Sequence, residues 1–276
     1  MSIGADAGPR AGASEVRDAD VVTQTPPTAR RRGWPGYLTM PLILVAVLVA
    51  LYVYVSGQEL DTIEARSLNA GSLLNATGEH VALAAVSTVI TLIIAVPLGI
   101  LLTRPFARRI RPYLITLLTL GQAVPTISVL VLLAVMFLFL GFNAAIVGLV
   151  LYAIIPVLLN TMVGLEQVDE NVLEAGRGMG LSKMQVLRRL ELPLAVPVVL
   201  AGVRTALVIN VGTATLAAYI NGGGLGEIIM AGLTTNRVLV QVVGAVLTSV
   251  LALLIDYLAG LAEDLLRPKG LRTEHA

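Results

Sequence analysis

Few side chains in this chain of 276 residues could do chemistry. It has no cysteine and two histidines, His80 and His275, so disulfides and thiolate metal sites are excluded, and two histidines alone cannot build a metal centre. Both read as bystanders, one in a loop and one in a tail. Polar residues do stand within apolar runs, in three groups: Gln122, Pro125, Thr126 and Ser128; Asn160 and Thr161; Arg204, Thr205, Asn210, Thr213 and Thr215. The run Asn221-Gly222-Gly223-Gly224-Leu225-Gly226 follows the third. No His, Asp, Glu or Ser-Lys set accompanies them, as an intramembrane enzyme would require. Their chemistry is hydrogen bonding along a surface or path, with no metal and no catalytic group expected.

A second kind of segment stands apart. "EAGRGMGLSKMQVLRRLELP", Glu174 to Pro193, holds Arg177, Lys183, Arg188, Arg189, Glu174 and Glu191, while Pro112 to Leu165 contains no Asp, Glu, Lys or Arg at all. The elements that must position both kinds of residue follow from composition. The chain is 56% hydrophobic and 13% charged, about half the charge of a soluble domain, and its long uncharged runs point to a bilayer as solvent. Six spans of roughly 20 apolar residues are expected at about 38–56, 81–103, 112–140, 144–164, 195–220 and 237–260. The third is long enough to tilt, and Gly141-Phe142-Asn143 reads as a tight turn before the fourth. Residues 1–37 show no hydrophobic period and read as a disordered tail, 38–262 as the membrane domain, and 263–276 as a second tail.

Charge then orients the spans. With the N-terminus inside, sixteen of the nineteen basic residues fall on the cytoplasmic side and only Arg66 and Arg237 outside, with Arg204 within a span; this satisfies the positive-inside rule. The outer loop 57–80 is acidic. The charged segment, within a loop spanning 166–193, lands in the cytoplasm between the fourth and fifth spans.

Within that loop Glu170 to Ala175 has helical composition. Gly176, Gly178 and Gly180 discourage a continuous helix, and Ser182-Lys183-Met184-Gln185 fits a capping box that starts a new helix at Lys183. Met184, Leu187 and Leu190 are expected on one face, and Pro193 is expected to end the helix. Such an amphipathic piece either rests on lipid headgroups or docks in a groove of a cytoplasmic protein. Five acids from Glu166 onward make it a poor ligand for anionic lipid and favour the protein partner.

The segment resembles the EAA loop of ABC importer permeases, E-A-A-x3-G-x9-I-x-L-P. Glu174-Ala175-Gly176 is followed by three residues and Gly180, and nine more lead to Leu190-Glu191-Leu192-Pro193; Gly176 replaces the second Ala and Leu190 the Ile. "GQAVPTISVL" (121–130), "LLNTMVGLEQVDENVLEAGRGMG" (158–180) and "LPLAVPVVLAGVRTALVINVGTATLAAYINGGGLG" (192–226) resemble permeases for quaternary-amine osmoprotectants such as glycine betaine, carnitine, choline and proline. The likeness covers roughly 75 to 265, with Leu159 standing where an Arg is expected.

The resemblance implies an all-α membrane protein of six transmembrane helices with a type I, MetI-like importer core in a bacterial plasma membrane, both termini cytoplasmic. It implies coupling roles for Glu174, Ala175, Gly176, Gly180, Leu190 and Pro193. It also implies a separate ABC ATPase that holds ATP and Mg, a periplasmic or extracellular solute-binding protein, and a second permease subunit, identical or homologous. No cofactor and no nucleic-acid partner is expected for this chain. Candidate path or gate residues are Gln122, Pro125, Thr126, Asn160, Thr161, Arg204, Asn210, Thr213, Thr215, Asn221 and Gly224. Pro125 is expected to kink the third span and free the carbonyl near Gly121. Arg204, roughly 14 Å from the inner end of its span, must face protein or water, and Asp256 is a possible partner. The glycine run reads as an outer hinge or re-entrant turn where a binding protein presses. Other substrates (a different amino acid or small zwitterion) stay open, as does a secondary transporter, although a transporter driven by ions would want more paired ionisable groups at depth.

Overall fold

The computed structural model describes residues 34–266. The expected tails lie outside them, apart from 34–37 and 263–266, which are helical; His275 lies outside as well. The chain divides into Met1–Leu38 and Thr39–Ala276. The helix Trp34–Ser56 crosses that boundary, and every other described element belongs to the second unit.

Every regular element described is helical. The helices are α1 (Trp34–Ser56), α2 (Thr62–Ser67), α3 (Ala70–Leu102), α4 (Arg111–Gln122), α5 (Thr126–Phe137), α6 (Phe142–Glu166), α7 (Glu170–Gly178), α8 (Lys183–Val186), α9 (Leu192–Thr213), α10 (Leu225–Thr234) and α11 (Val238–Leu266). Short 3₁₀ segments at Pro105–Ala107 and Ala214–Ile220 and a π turn at Leu187–Glu191 join them. Among the described residues, five helical stretches are long and apolar enough to cross a membrane, or six if α4 and α5 are one broken span.

The kink expected at Pro125 in the third span, 112–140, is a full break of the helix. α4 stops at Gln122, α5 restarts at Thr126, and the two are bent by 86°. Proline cannot donate the bond that would continue α4, and Pro125 instead serves as the N-cap of α5. The Gly121 carbonyl is not freed by this, because Val124 N–H donates to it at 3.3 Å.

α6 sits at the centre, packed against α3 and α9, while α11 packs on α9 and α10. Small residues let these helices close up. A Cβ on Gly202 of α9 would stand 2.6 Å from Asn160 Cβ of α6. One core joins Leu83, Leu130, Leu149 and Ile220; another joins Ala95, Val157, Leu158, Met162 and Ala206. In contrast, Leu132, Val135, Met136 and Phe137 of α5 are exposed, and α5 bears a groove of about 420 Å³ lined by Ile127, Ser128, Val131, Leu132, Val135 and Met136.

Two helices begin or appear where the sequence pattern put none. α3 starts at Ala70, capped by Asn69, so His80 is not in a loop but inside a 33-residue helix and fully buried. α10 is a short apolar helix directly after the glycine run.

Candidate functional site

The charged segment forms a helix–turn–helix at one end of the bundle. Asp169 caps α7 by accepting from Asn171 N–H at 2.9 Å. α7 continues through Gly176 and ends at Gly178, so the alternating glycines do not break it, contrary to expectation. One glycine does make the turn: Gly180 has φ +86°, a conformation costly for any residue with a Cβ. The capping box forms as expected, with Ser182 N–H donating to Gln185 Oε1 at 2.8 Å and Gln185 N–H to Ser182 Oγ at 3.4 Å.

Beyond α8 two expectations change. Val186, not Met184, is the buried apolar residue, with Leu187 and Leu190 half-buried and Met184 exposed. Pro193 does not end the helix, which continues from Lys183 to Ile220. The reason is the π turn, in which Leu192 N–H reaches back to Leu187 O. A widened turn accommodates a residue that lacks an N–H and whose ring would clash in a regular one.

The motif positions have distinct surroundings. Glu174 and Ala175 are exposed, and Gly176 is buried. A Cβ on Gly176 would stand 2.5 Å from Leu190 Cδ1, so the two departures from the motif pack against one another. Gly176→Ala is expected to destabilise the purified protein by about 1 kcal/mol, the low end for overpacking because only a side-chain tip must yield. Adding Leu190→Ile should recover the loss in thermal unfolding. Gly178→Ala, with open space around the added methyl, should cost nothing.

Acids that the sequence did not single out hold this segment. Glu191 is 6% exposed, and both its oxygens are taken by Arg104, with Nη1 donating to Oε1 at 3.3 Å and Nη2 paired with Oε2. Arg111 forks in the same way onto Glu166, Nη2 to Oε2 at 3.1 Å. The basic cluster at 104–111 was visible in sequence; its partners, 55 and 87 residues away, were not.

The polar residues within the spans do not form one lined channel in this conformation. Gln122 Nε2 donates to Tyr152 O at 3.2 Å, while exposed Pro125 and half-buried Thr126 sit at the break. Asn160 and Thr161 return their side-chain donors to Pro156 O and Val157 O within α6. Thr213 and Thr215 do the same, to Ile209 O and Gly212 O. Asn210 is fully buried: Nδ2 donates to Thr88 Oγ1 at 2.9 Å, and Oδ1 has no partner. Arg204 is paired with Asp256, Nε to Oδ1 at 2.6 Å and Nη2 to Oδ2 at 2.7 Å, with Glu263 at 3.8 Å from Nη1. A groove of about 240 Å³ lies over this pair, lined also by Thr205, Val208 and Ile209.

At the opposite end the glycine run is a tight turn, with Asn221, Gly223 and Gly224 at φ +56°, +86° and +89°. Two α3 residues clasp it. Gly224 N–H donates to Glu79 Oε2 at 3.0 Å, and Leu225 N–H to His80 Nδ1 at 3.3 Å. Because Nδ1 accepts, His80 carries its proton on Nε2 and donates to Val211 O at 2.9 Å. The hydropathy of 81–103 hid this clasp by placing His80 outside the span. Nearby, Asp61 caps α2 in a box with Glu64, a D-x-x-E signal readable in sequence, and pairs with Arg237 at 2.6 Å.

Comparison with known proteins agrees with these features. Residues 95–268 match the family described as binding-protein-dependent transport system inner membrane component. The glycine betaine/carnitine/choline transport system permease protein OpuCB of Bacillus subtilis is 38% identical over 204 residues, 74% of this chain and 93% of its own. The osmoprotectant import permease protein OsmY of Salmonella typhimurium is 38% identical over 216 residues, 78% of this chain and 89% of its own. Among solved structures, an inward-facing MetNI methionine ABC transporter chain superposes with a TM-score of 0.63 at 25% identity, covering 71% of this chain and 96% of that one. With its helical bundle, its EAA-type turn and these matches, the chain belongs to the binding-protein-dependent transport inner membrane components, the multi-pass, non-catalytic subunits of ABC importers that work with a separate ATPase and a binding protein.

Proposed function

We propose that this chain is the permease of an importer for quaternary-amine osmoprotectants such as glycine betaine, choline or carnitine. The observation that carries the reading is the turn at 166–193, complete in motif spacing, with a left-handed Gly180 and a formed capping box, in a chain 38% identical to permeases named for those solutes. In this reading both termini and the 166–193 loop are cytoplasmic. The turn at Asn221–Gly226 faces the binding protein, and a second permease subunit covers the exposed face of α5. Residues 1–37 and 263–276 are tails outside the membrane domain 38–262.

Glu174, Ala175, Gly176, Gly180, Leu190 and Pro193 form the coupling element that meets the ATPase. Gln122, Pro125 and Thr126, at the break between α4 and α5, face the translocation path. Asn160, Thr161, Asn210, Thr213 and Thr215 respond as the helices rearrange, and the unpaired Asn210 Oδ1 is an acceptor that another arrangement can satisfy. Arg204 fixes α9 to α11 rather than touching cargo, because Asp256 already engages its guanidinium through two hydrogen bonds.

Uptake by proteoliposomes holding the assembled complex tests this, with labelled glycine betaine, choline and an unrelated amino acid. Uptake of the two quaternary amines that depends on ATP and binding protein is expected. Gly180→Val should lower it about tenfold or more, since a β-branched residue at positive φ is strained by roughly 1–3 kcal/mol. Transport of the amino acid alone would reject the substrate assignment.

A further inference from the structure

Residues 104–111, the connection from α3 into the first residue of α4, make contacts that the coupling motif does not include. Arg104 forks onto Glu191, the last residue of the π turn, and Arg111 onto Glu166, the last residue of α6, so each holds a carboxylate at one end of the coupling segment. The loop is itself ordered. Pro105–Ala107 is a 3₁₀ turn, Ala107 is buried, and Arg104 Nε also donates to Ile100 O at 3.2 Å. The two other basic residues of the loop, Arg108 and Arg109, are exposed and take no part.

We propose that residues 104–111 act as a staple across the coupling segment, with Arg104 and Arg111 as positioning residues that deliver its displacement to α3 and α4. A two-pronged guanidinium–carboxylate pair fixes direction as well as distance, which a single ammonium contact does not. The two pairs are unequal. Glu191 is buried, so losing Arg104 strands a charge. Arg111 and Glu166 have side chains 33% and 42% exposed, where an ion pair contributes little to stability but still sets geometry. The covalent route from the segment runs through Pro193 into α9. The staple adds a second route, through Arg111 into α4, which leads to the 86° break and to Gln122, Pro125 and Thr126. This inference rests on the coupling role proposed for 166–193.

The test uses the full complex in proteoliposomes with its binding protein and whichever of labelled glycine betaine or choline the wild type imports. The quantity read is solute imported per ATP hydrolysed. A photocrosslinker at exposed Met184 reports separately whether the segment meets the ATPase. Expected results are an intact crosslink with Glu191→Gln, a fall of about tenfold in the import ratio, and partial recovery in the charge-exchanged pair Arg104→Glu with Glu191→Arg. Arg104→Lys should fall between, because it keeps the charge and loses the fork. Glu166→Gln, at the exposed end where folding is not at stake, should lower the ratio by about twofold. An unchanged ratio in Glu191→Gln and Glu166→Gln with the crosslink intact overturns the staple alone. Absence of the crosslink in the wild type overturns the coupling reading and the staple together. Reduced assembly with a normal ratio in the assembled fraction marks the pairs as merely structural and also overturns the proposal.

Discussion

Gly226→Ala is expected to remove most of the correctly folded protein from the membrane, a far larger effect than that of Gly176→Ala. Gly226 is buried at the start of α10, and a Cβ there would overlap the carbonyl oxygen of Thr215 and stand within 2.9 Å of its Cα. The obstacle is backbone, held in the 3₁₀ segment Ala214–Ile220, so no rotamer change relieves it. Overpacking costs about 1–3 kcal/mol where side chains can give, and the cost here belongs at or above the top of that range. Gly212→Ala is the matched control: it lies on α9 just before Thr215, with open space around the added methyl. Size-exclusion profiles of detergent extracts and thermal midpoints should separate the two. Equal behaviour would mean that α10 does not seat against the 3₁₀ segment.

Arg204→Met should destabilise the protein by about 2–3 kcal/mol. Removing one partner of a buried pair costs roughly 3–5 kcal/mol, reduced here because the Arg204 and Asp256 side chains are 32% and 30% exposed. The variant takes the guanidinium away from Asp256, within α11, and weakening the compensation of a carboxylate within a span is costly. Adding Asp256→Leu should restore most of the loss, since an apolar pair often replaces a buried ion pair at little cost. Transport by the double variant then separates two roles. Recovered stability with recovered uptake makes the pair a structural tie between α9 and α11; recovered stability without uptake makes Arg204 part of the gate.

Hydropathy made the long spans legible because α3, α6, α9 and α11 each carry a continuous apolar run. The turn at 180–185 was legible because a left-handed glycine and a capping box are local devices, decided by residues within a few positions. The break at 123–125 was only half legible. Pro125 announced an interruption, but an uncharged run from Pro112 to Leu165 offers nothing to distinguish a mild kink from a bend of 86°. α10 was hidden by the glycine run in front of it and by its ten residues. The pairs Arg104–Glu191 and Arg204–Asp256 depend on which helices become neighbours. Arg204 in an apolar run advertised its need for a partner, whereas Glu191, among other charges, did not. His80 was misplaced because apolar content, not helix geometry, set the expected start of the second span.

α3 is attached to the chain around α9 at two places: Glu79 and His80, within the helix, hold Val211, Gly224 and Leu225, while Arg104 just past its C-terminal end holds Glu191. His80 and Arg104 lie 24 residues apart, about 36 Å along a helix, and any flexing at Pro97 stays between them. A rod pinned twice to the same neighbour can neither slide nor spin against it. α3 and α9 are therefore expected to travel as a single lever, with the broken span α4–α5 coupled to it through Arg111 at its start and the buried Leu130 beyond its bend.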